Sequence, residues 1–123
     1  MDELPSACAL GRTGEEAAVA FLEKNGYRVE AAGFRLLRGE IDIIAYDGPI
    51  LVFIEVKTRS GEEFGRPEEA VNPAKQRQIR KIAAGYLAKN RIPESRTPCR
   101  FDVLSLVREA GSEFRIRHFK NAF

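Results

Sequence analysis

Cysteine is scarce and poorly spaced for structural work. Cys8 and Cys99 are the only two in 123 residues, and neither belongs to a Cys-x-x-Cys or Cys/His ligand pattern. A disulfide framework and a zinc site are therefore not expected, and both cysteines read as incidental. No apolar run approaches the roughly 20 residues that a membrane-spanning helix needs. Met1 to Leu10 carries Asp2, Glu3 and Pro5 where a signal peptide would need a basic start and an apolar run. The expectation is a cytoplasmic address with no membrane partner. A strong excess of one charge is also missing. Lys and Arg number 20 against 18 Asp and Glu, a formal +2, because Glu62, Glu63, Glu68 and Glu69 offset much of the basic side, so composition alone does not announce a nucleic-acid binder. Internal repeats and low-complexity tracts are absent too.

What is present suits one folded unit. A chain that is 44% hydrophobic and 31% charged has enough Val, Ile, Leu and Phe to exclude disorder, and its length allows one core but not two. We read residues 1–123 as a single domain with a flexible N-terminus over 1–12. Ala18, Val19 and Leu22 recur at helical spacing within Thr13 to Asn25, with Thr13 as N-cap and Gly26 as the stop. Tyr27 to Phe34 reads as a short strand, followed by a basic connection from Arg35 to Arg38. Gly39 to Asp47 and Ile50 to Thr58 read as an antiparallel hairpin turned at Asp47-Gly48-Pro49. Ser60 to Val71, with Gly61, Gly65, Pro67 and four glutamates, reads as an exposed, mobile loop. Asn72-Pro73 signals a second helix whose buried stripe is Ile79, Ile82, Ala83, Tyr86 and Leu87, ending near Asn90. Strands at Arg100 to Val107 and Phe114 to Phe119, around Ala110-Gly111-Ser112, complete an α/β layout of one sheet with flanking helices.

The chemistry concentrates on the hairpin. The strand from Ile50 to Lys57 is apolar on both faces, as at a sheet centre, yet ends in two charges, and buried charge must be paired or coordinated. Period-two alternation puts Leu51, Phe53, Glu55 and Lys57 on one side, the last two ~7 Å apart along the strand. On the preceding strand the same alternation sets Ile41, Ile43 and Ala45 against Glu40, Asp42 and Ile44. A two-residue loop at Asp47-Gly48 places Asp42 diagonal to Glu55; a four-residue loop from Asp47 to Ile50 places it directly opposite. A three-residue loop would separate the two carboxylates onto opposite faces. Adjacent carboxylates repel unless a cation lies between them, and an all-oxygen site with few protein ligands suits Mg²⁺ or Mn²⁺. Lys57 would then orient the attacking water and offset transition-state charge. The competing reading is a set of salt bridges among Asp42, Glu55, Lys57 and nearby arginines at a sheet edge.

Three further features bear on the site. Glu15 shares a face with Ala18, Val19 and Leu22, whereas Glu16 falls with Ala20 and Glu23, so Glu15 either aims at the sheet or complements the helix dipole from a first turn. A basic segment through Lys75, Arg77, Arg80, Lys81, Lys89, Arg91 and Arg96 is either a solvated helix face or a phosphate-binding surface. Lys75 begins the apolar stripe and either reaches the acidic cleft or snorkels to solvent. Asp102 reads as a structural partner for an arginine.

Asp42, twelve intervening residues and Glu55-x-Lys57 resemble the D…(D/E)-x-K signature of restriction-endonuclease-like nucleases, including archaeal Holliday-junction resolvases. The longer strings Gly14-Glu15, Gly26-Tyr27, Gly39-Glu40-Ile41-Asp42-Ile43-Ile44-Ala45, Val52-Phe53-Ile54-Glu55-Val56-Lys57-Thr58-Arg59 and Arg100-Phe101-Asp102 look like the bacterial YraN-type family of predicted endonucleases, over nearly the whole chain. The resemblance implies a restriction-endonuclease-like core of about five strands in one mixed sheet. It also implies Mg²⁺ dependence, with Glu15, Asp42 and Glu55 toward the metal and Lys57 beside them. The chain departs from that family in having Arg35-Leu36-Leu37-Arg38 where an aromatic-bearing stretch is common. Two functions follow as expectations. One is a metal-dependent nuclease acting on DNA, branched DNA included, with Lys75, Arg77, Arg80, Lys81 and Arg59 on the phosphates; a homodimer would bring two such sites to two strands. The other is a non-catalytic nucleic-acid or protein-interaction module on the same fold.

Overall fold

A computed structural model describes residues 7–60, 71–108 and 114–123, with side chains from Gly14 onward except that of Ser60. In chain order the elements are α1 (Ala7–Lys24), β1 (Arg28–Leu36), β2 (Gly39–Asp47), β3 (Ile50–Ser60), α2 (Pro73–Lys89), a short 3₁₀ turn (Glu94–Arg96), β4 (Cys99–Arg108) and β5 (Phe114–Phe119). The strands form one sheet in the order β1-β2-β3-β4-β5. Among the described residues only β3 and β4 pair in parallel, and α2 lies in the crossover that a parallel pair requires. This mixed sheet with a helix on each face is consistent with the restriction-endonuclease-like core that the motifs imply.

Two apolar layers hold the helices to the sheet. On one face Ile44, Leu51, Phe53 and Val103 meet Ile79, Ile82, Ala83, Tyr86 and Leu87 of α2. On the other, Ile43, Ala45, Val52, Ile54, Leu104 and Leu106 meet Ala18 and Leu22 of α1. The central strands are thus buried on both sides, which explains their near-continuous apolar sequence. The α2 stripe is the expected one. Asn72 caps it, its side chain accepting from the Lys75 amide at 2.8 Å, and Pro73 takes the first-turn position where no amide is needed.

Several boundaries differ from expectation. The first helix begins at Ala7, so Thr13 lies inside it rather than capping it; an apolar-periodicity signal cannot see the turns before the first buried residue. Residues 1–6 of the terminus expected to be flexible lie outside the described residues. So do 61–70 of the expected loop and the turn at Ala110-Gly111-Ser112. Val71, placed at the end of that loop by sequence, is buried against α2. The basic connection shrinks to Leu37 and Arg38, because Leu36 pairs with Gly39 across the hairpin.

That hairpin tip is strained. Leu37 and Arg38 both take positive φ, 54° and 62°, the conformation of a type I′ turn that favours Asn-Gly. Its root is clamped against α2. A Cβ on Gly39 would lie 2.6 Å from Ile82 Cδ1, and one on Gly85 would lie 2.2 Å from Leu36 Cδ2, so each glycine allows an approach that a side chain would block.

A buried polar cluster ties β4 to its neighbours. Asp102 is fully buried. It accepts from Arg100 Nε at 2.9 Å, from Arg100 Nη2 at 2.9 Å, from the Asn121 amide at 2.9 Å, and its Oδ2 lies 2.7 Å from His118 Nε2. Arg100 also donates to Asp47 at 3.1 Å and to the Tyr27 hydroxyl at 2.8 Å. Burial alone would raise the Asp102 pKa, but the hydrogen bonds from His118, Arg100 and Asn121 outweigh it and hold the carboxyl below its ordinary value. The structural role expected for Asp102 is the one observed.

Two outcomes follow. Asp102→Asn leaves Arg100 with Asp47 as its one remaining carboxylate partner and should cost about 3 kcal/mol, read as a lower urea midpoint at unchanged slope. Leu37→Asn combined with Arg38→Gly should stabilise by about 1–2 kcal/mol by relieving left-handed strain, read as a higher melting temperature.

Candidate metal centre

The register of the β2–β3 hairpin decides which carboxylates can meet. Asp47 pairs with Ile50 and Ile43 with Ile54, so Gly48 and Pro49 form the turn, and Asp42 falls opposite Glu55 as the second of the two productive loops requires. Gly48 has φ +61° and proline has a fixed negative φ, the combination of a type II′ turn. Pro49 therefore sits in the turn and takes nothing from the ladder.

Past Ile43 the ladder between β2 and β3 opens. Asp42 Oδ2 there accepts from the Val56 amide at 2.8 Å. The strict alternation expected for β2 fails at this point. Ile41 packs in the α2-side layer, while Ile43 and Ala45 pack on the α1 side. The physical reason is that a side chain rather than the neighbouring backbone satisfies Val56, which frees β2 to change phase. Glu40 is thereby carried toward α1.

Glu15 meets it there. One carboxylate oxygen each from Glu15, Glu40 and Asp42 lies within 4.8 Å of the others. Ala18 and Leu22, on the same face of α1, are fully buried, while Glu16, Ala20 and Glu23 are exposed, so the helix presents Glu15 to the sheet as one of its two expected alternatives required. The dipole alternative does not hold, because α1 starts at Ala7 and has no acidic residue in its first turn.

Glu55 stands on the α2 side and is 6% exposed. Its Oε2 lies 2.6 Å from Lys75 Nζ and 3.5 Å from Lys57 Nζ. Lys75 thus reaches the acidic cleft rather than solvent. Burial alone would lower its pKa, but the hydrogen bond to Glu55 and that carboxylate's charge hold it above the ordinary lysine value. The side-chain order across the sheet is therefore Glu15 and Glu40, then Asp42, then Glu55 with its two lysines.

Asp42 carries the electrostatic strain of this arrangement. Burial, then the charge of Glu55, then those of Glu40 and Glu15, push its pKa from 3.8 up to about 7 against the lowering effect of the Val56 hydrogen bond. Such crowding of oxygen ligands with like charge is what a hard divalent cation relieves, and the donor set fits Mg²⁺ or Mn²⁺.

Sequence reasoning assigned Asp42, Glu55, Lys57 and Glu15 to one place, and all four converge at this end of the sheet. Glu40 was not among them. Its signal was the Glu40-x-Asp42 spacing on one strand, but the change of phase that turns it to Glu15 is invisible in a period-two pattern. Among the expected phosphate contacts, Arg77 and Lys81 are exposed on α2. Arg80 is exposed as well, with its guanidinium 4.6 Å from the Phe101 ring centroid. Arg59, at the far end of β3, is half-buried.

The raised pKa sets a pH dependence. Between about pH 4 and pH 7 the folded chain keeps the Asp42 proton that the unfolded chain has released, so stability without metal falls as pH rises through that window. Asp42→Asn should flatten this slope and raise the metal-free melting temperature at pH 8 above that of the wild type, as measured by thermal denaturation in chelator.

Comparison with known proteins places the chain in a wider group. The pattern of the Uncharacterised protein family UPF0102 matches residues 14–106, a span that contains Glu15, Glu40, Asp42, Glu55, Lys57 and Lys75. A UPF0102 protein of Symbiobacterium thermophilum is 47% identical over 114 residues, covering 93% of this chain and 95% of the relative. One from Alkaliphilus oremlandii is 46% identical over 114 residues, covering 93% and 97%. One from Chlorobium limicola is 46% identical over 130 residues, covering 100% of this chain and 96% of the relative. The chain belongs to the UPF0102 family, which is the YraN family that its motifs resemble.

Proposed function

We propose that this chain is a cytoplasmic, metal-dependent nuclease that hydrolyses phosphodiester bonds in DNA. The observation that carries the reading is the convergence of Glu15, Glu40 and Asp42 within 4.8 Å beside Glu55-x-Lys57, at the end of an otherwise apolar pair of strands. An acidic cluster this crowded is destabilising without a counter-ion, and its oxygen-only donors match Mg²⁺ or Mn²⁺. Asp42, Glu15 and Glu40 would hold the ion, and Glu55 would complete the site from the α2 side. The ion supplies Lewis-acid polarisation of a phosphate oxygen and a lowered pKa for water.

The lysines do the rest. Lys75 and Lys57 both contact one oxygen of Glu55, so they compensate that carboxylate. In the nuclease reading each ammonium would also turn toward a phosphate, Lys57 orienting the attacking water and offsetting charge on the pentacovalent transition state. The exposed cations of α2, Arg77, Arg80 and Lys81, together with Arg59, would track the backbone in a salt-dependent and sequence-tolerant way. One observation favours the second reading, a non-catalytic nucleic-acid or protein-interaction module: Glu55 already has two ammonium partners and does not need a metal for neutrality.

Magnesium titration by calorimetry, followed by incubation with labelled four-way and linear DNA, separates the two. The wild type should bind Mg²⁺ and nick DNA. Asp42→Asn with Glu55→Gln should lower cleavage by at least two to three orders of magnitude while DNA binding persists. Unaltered DNA binding with no metal uptake and no cleavage in Mg²⁺ or Mn²⁺ would instead establish the module.

A further inference from the structure

The tip of the β1–β2 hairpin combines three features that folding does not call for. Leu37 is 61% exposed and is the one exposed large hydrophobic among the described residues. It and Arg38 hold positive φ, where Asn and Gly would sit with less strain. It also lies between cations: the Arg35 side chain is 81% exposed, and Arg38 follows directly, exposed as well. The left-handed conformation is unfavourable for both residues that hold it, and strain of this kind clusters at functional sites.

Its position relative to the acidic centre gives it a use. A concavity of about 480 Å³ is lined by Arg35, Leu36, Arg38, Gly39 and Glu40, and Glu40 is also one of the three clustered carboxylates. Arg35 Nε lies 3.4 Å from Glu40 Oε1, so the arginines and the acidic centre share one continuous wall. Leu37 stands three residues from Glu40 in sequence, at most ~10 Å of chain, or up to about three base steps at 3.4 Å each. The root of the hairpin is packed closely on α2, Gly39 against Ile82 and Leu36 against Gly85.

We propose that Leu37 is a wedge that enters an opened base step of duplex DNA within about three nucleotides of the acidic centre, with Arg35 and Arg38 gripping the flanking phosphates. Apolar side chains flanked by basic ones unstack and kink duplexes in this way, and unstacking is easiest where stacking is already weak. This refines the nuclease reading and rests on it for the placement of the cut.

The test uses a four-way DNA junction carrying 2-aminopurine beside the branch, in Ca²⁺ buffer, with each protein at a concentration that saturates the anisotropy change. Wild type should raise 2-aminopurine emission several-fold. Leu37→Asn, which suits the left-handed turn and should melt no lower than wild type, should lose the rise, whereas Leu37→Met should keep it. Arg35→Ala with Arg38→Ala should weaken binding about tenfold and reduce its salt dependence. A Leu37→Asn protein that raises emission as the wild type does, or a wild type that binds without any rise or does not bind, overturns the wedge. Cleavage of the same junction in Mg²⁺ is scored separately. Cleavage without an emission rise removes the wedge and leaves the nuclease reading standing; an emission rise without cleavage in Mg²⁺ or Mn²⁺ keeps the wedge as a binding device and removes the nuclease reading.

Discussion

Asp42 accepts a hydrogen bond from the Val56 amide at the point where β2 and β3 separate, and the geometry of the whole acidic end follows from that contact. A backbone amide in a sheet interior must find an acceptor. Because the Asp42 side chain supplies it, the backbone of β2 is released from its partner one step early. The release turns Ile41 into the α2-side layer and Glu40 toward α1. The same carboxylate then stands between negative charges from α1, from its own strand and from β3. Burial first, and then those charges, raise its pKa.

The apolar layers make the cost tolerable. Phe53, Ile54, Leu104 and Leu106 are fully or almost fully buried beside the opening, and α1 and α2 cover the sheet from opposite sides. Glu55 is buried beneath that cover, and Lys75, delivered by the first turn of a capped helix, compensates it. The packing of Ile79, Ile82, Ala83, Tyr86 and Leu87 on the sheet sets the rotation of α2, and the Asn72 cap starts the helix in time for Lys75 to lie in its first turn. On the neighbouring strand β4, where Asp102 pairs with Ile54 one position from Glu55, the cluster around Asp102 uses the opposite solution, a buried carboxylate matched by cationic and amide donors. One acid has its pKa raised and the other lowered, and the difference lies in whether the neighbours are acids or donors.

The hairpin tip shows a similar conflict between local preference and position. Gly39 and Gly85 allow the root to pack tightly on α2, while the turn itself is built from residues that favour neither the conformation nor the exposure. In the wedge reading, tight packing at the root is what lets a strained tip keep its direction.

Much of this was determined by sequence alone. Strands β2 and β5, the α2 stripe and its Asn72-Pro73 start depend on short-range periodicity and capping chemistry, which survive without knowledge of the rest of the chain. The co-facing of Asp42 and Glu55 was legible too, since turn length and period-two alternation restrict the register to few choices. Glu15 was legible as the one glutamate on the apolar face of its helix. Other features were decided only by the tertiary structure. The early start of α1 depends on residues that show no apolar periodicity. The recruitment of Glu40 requires the phase change at Asp42, which is the result of one side chain competing with a backbone ladder. Lys75 had two outcomes open to a long flexible side chain, and the carboxylate waiting across the α2–β3 contact selected between them. In each case the deciding partner lies far away in sequence, and only packing brings it within the few ångströms over which a hydrogen bond or a charge acts.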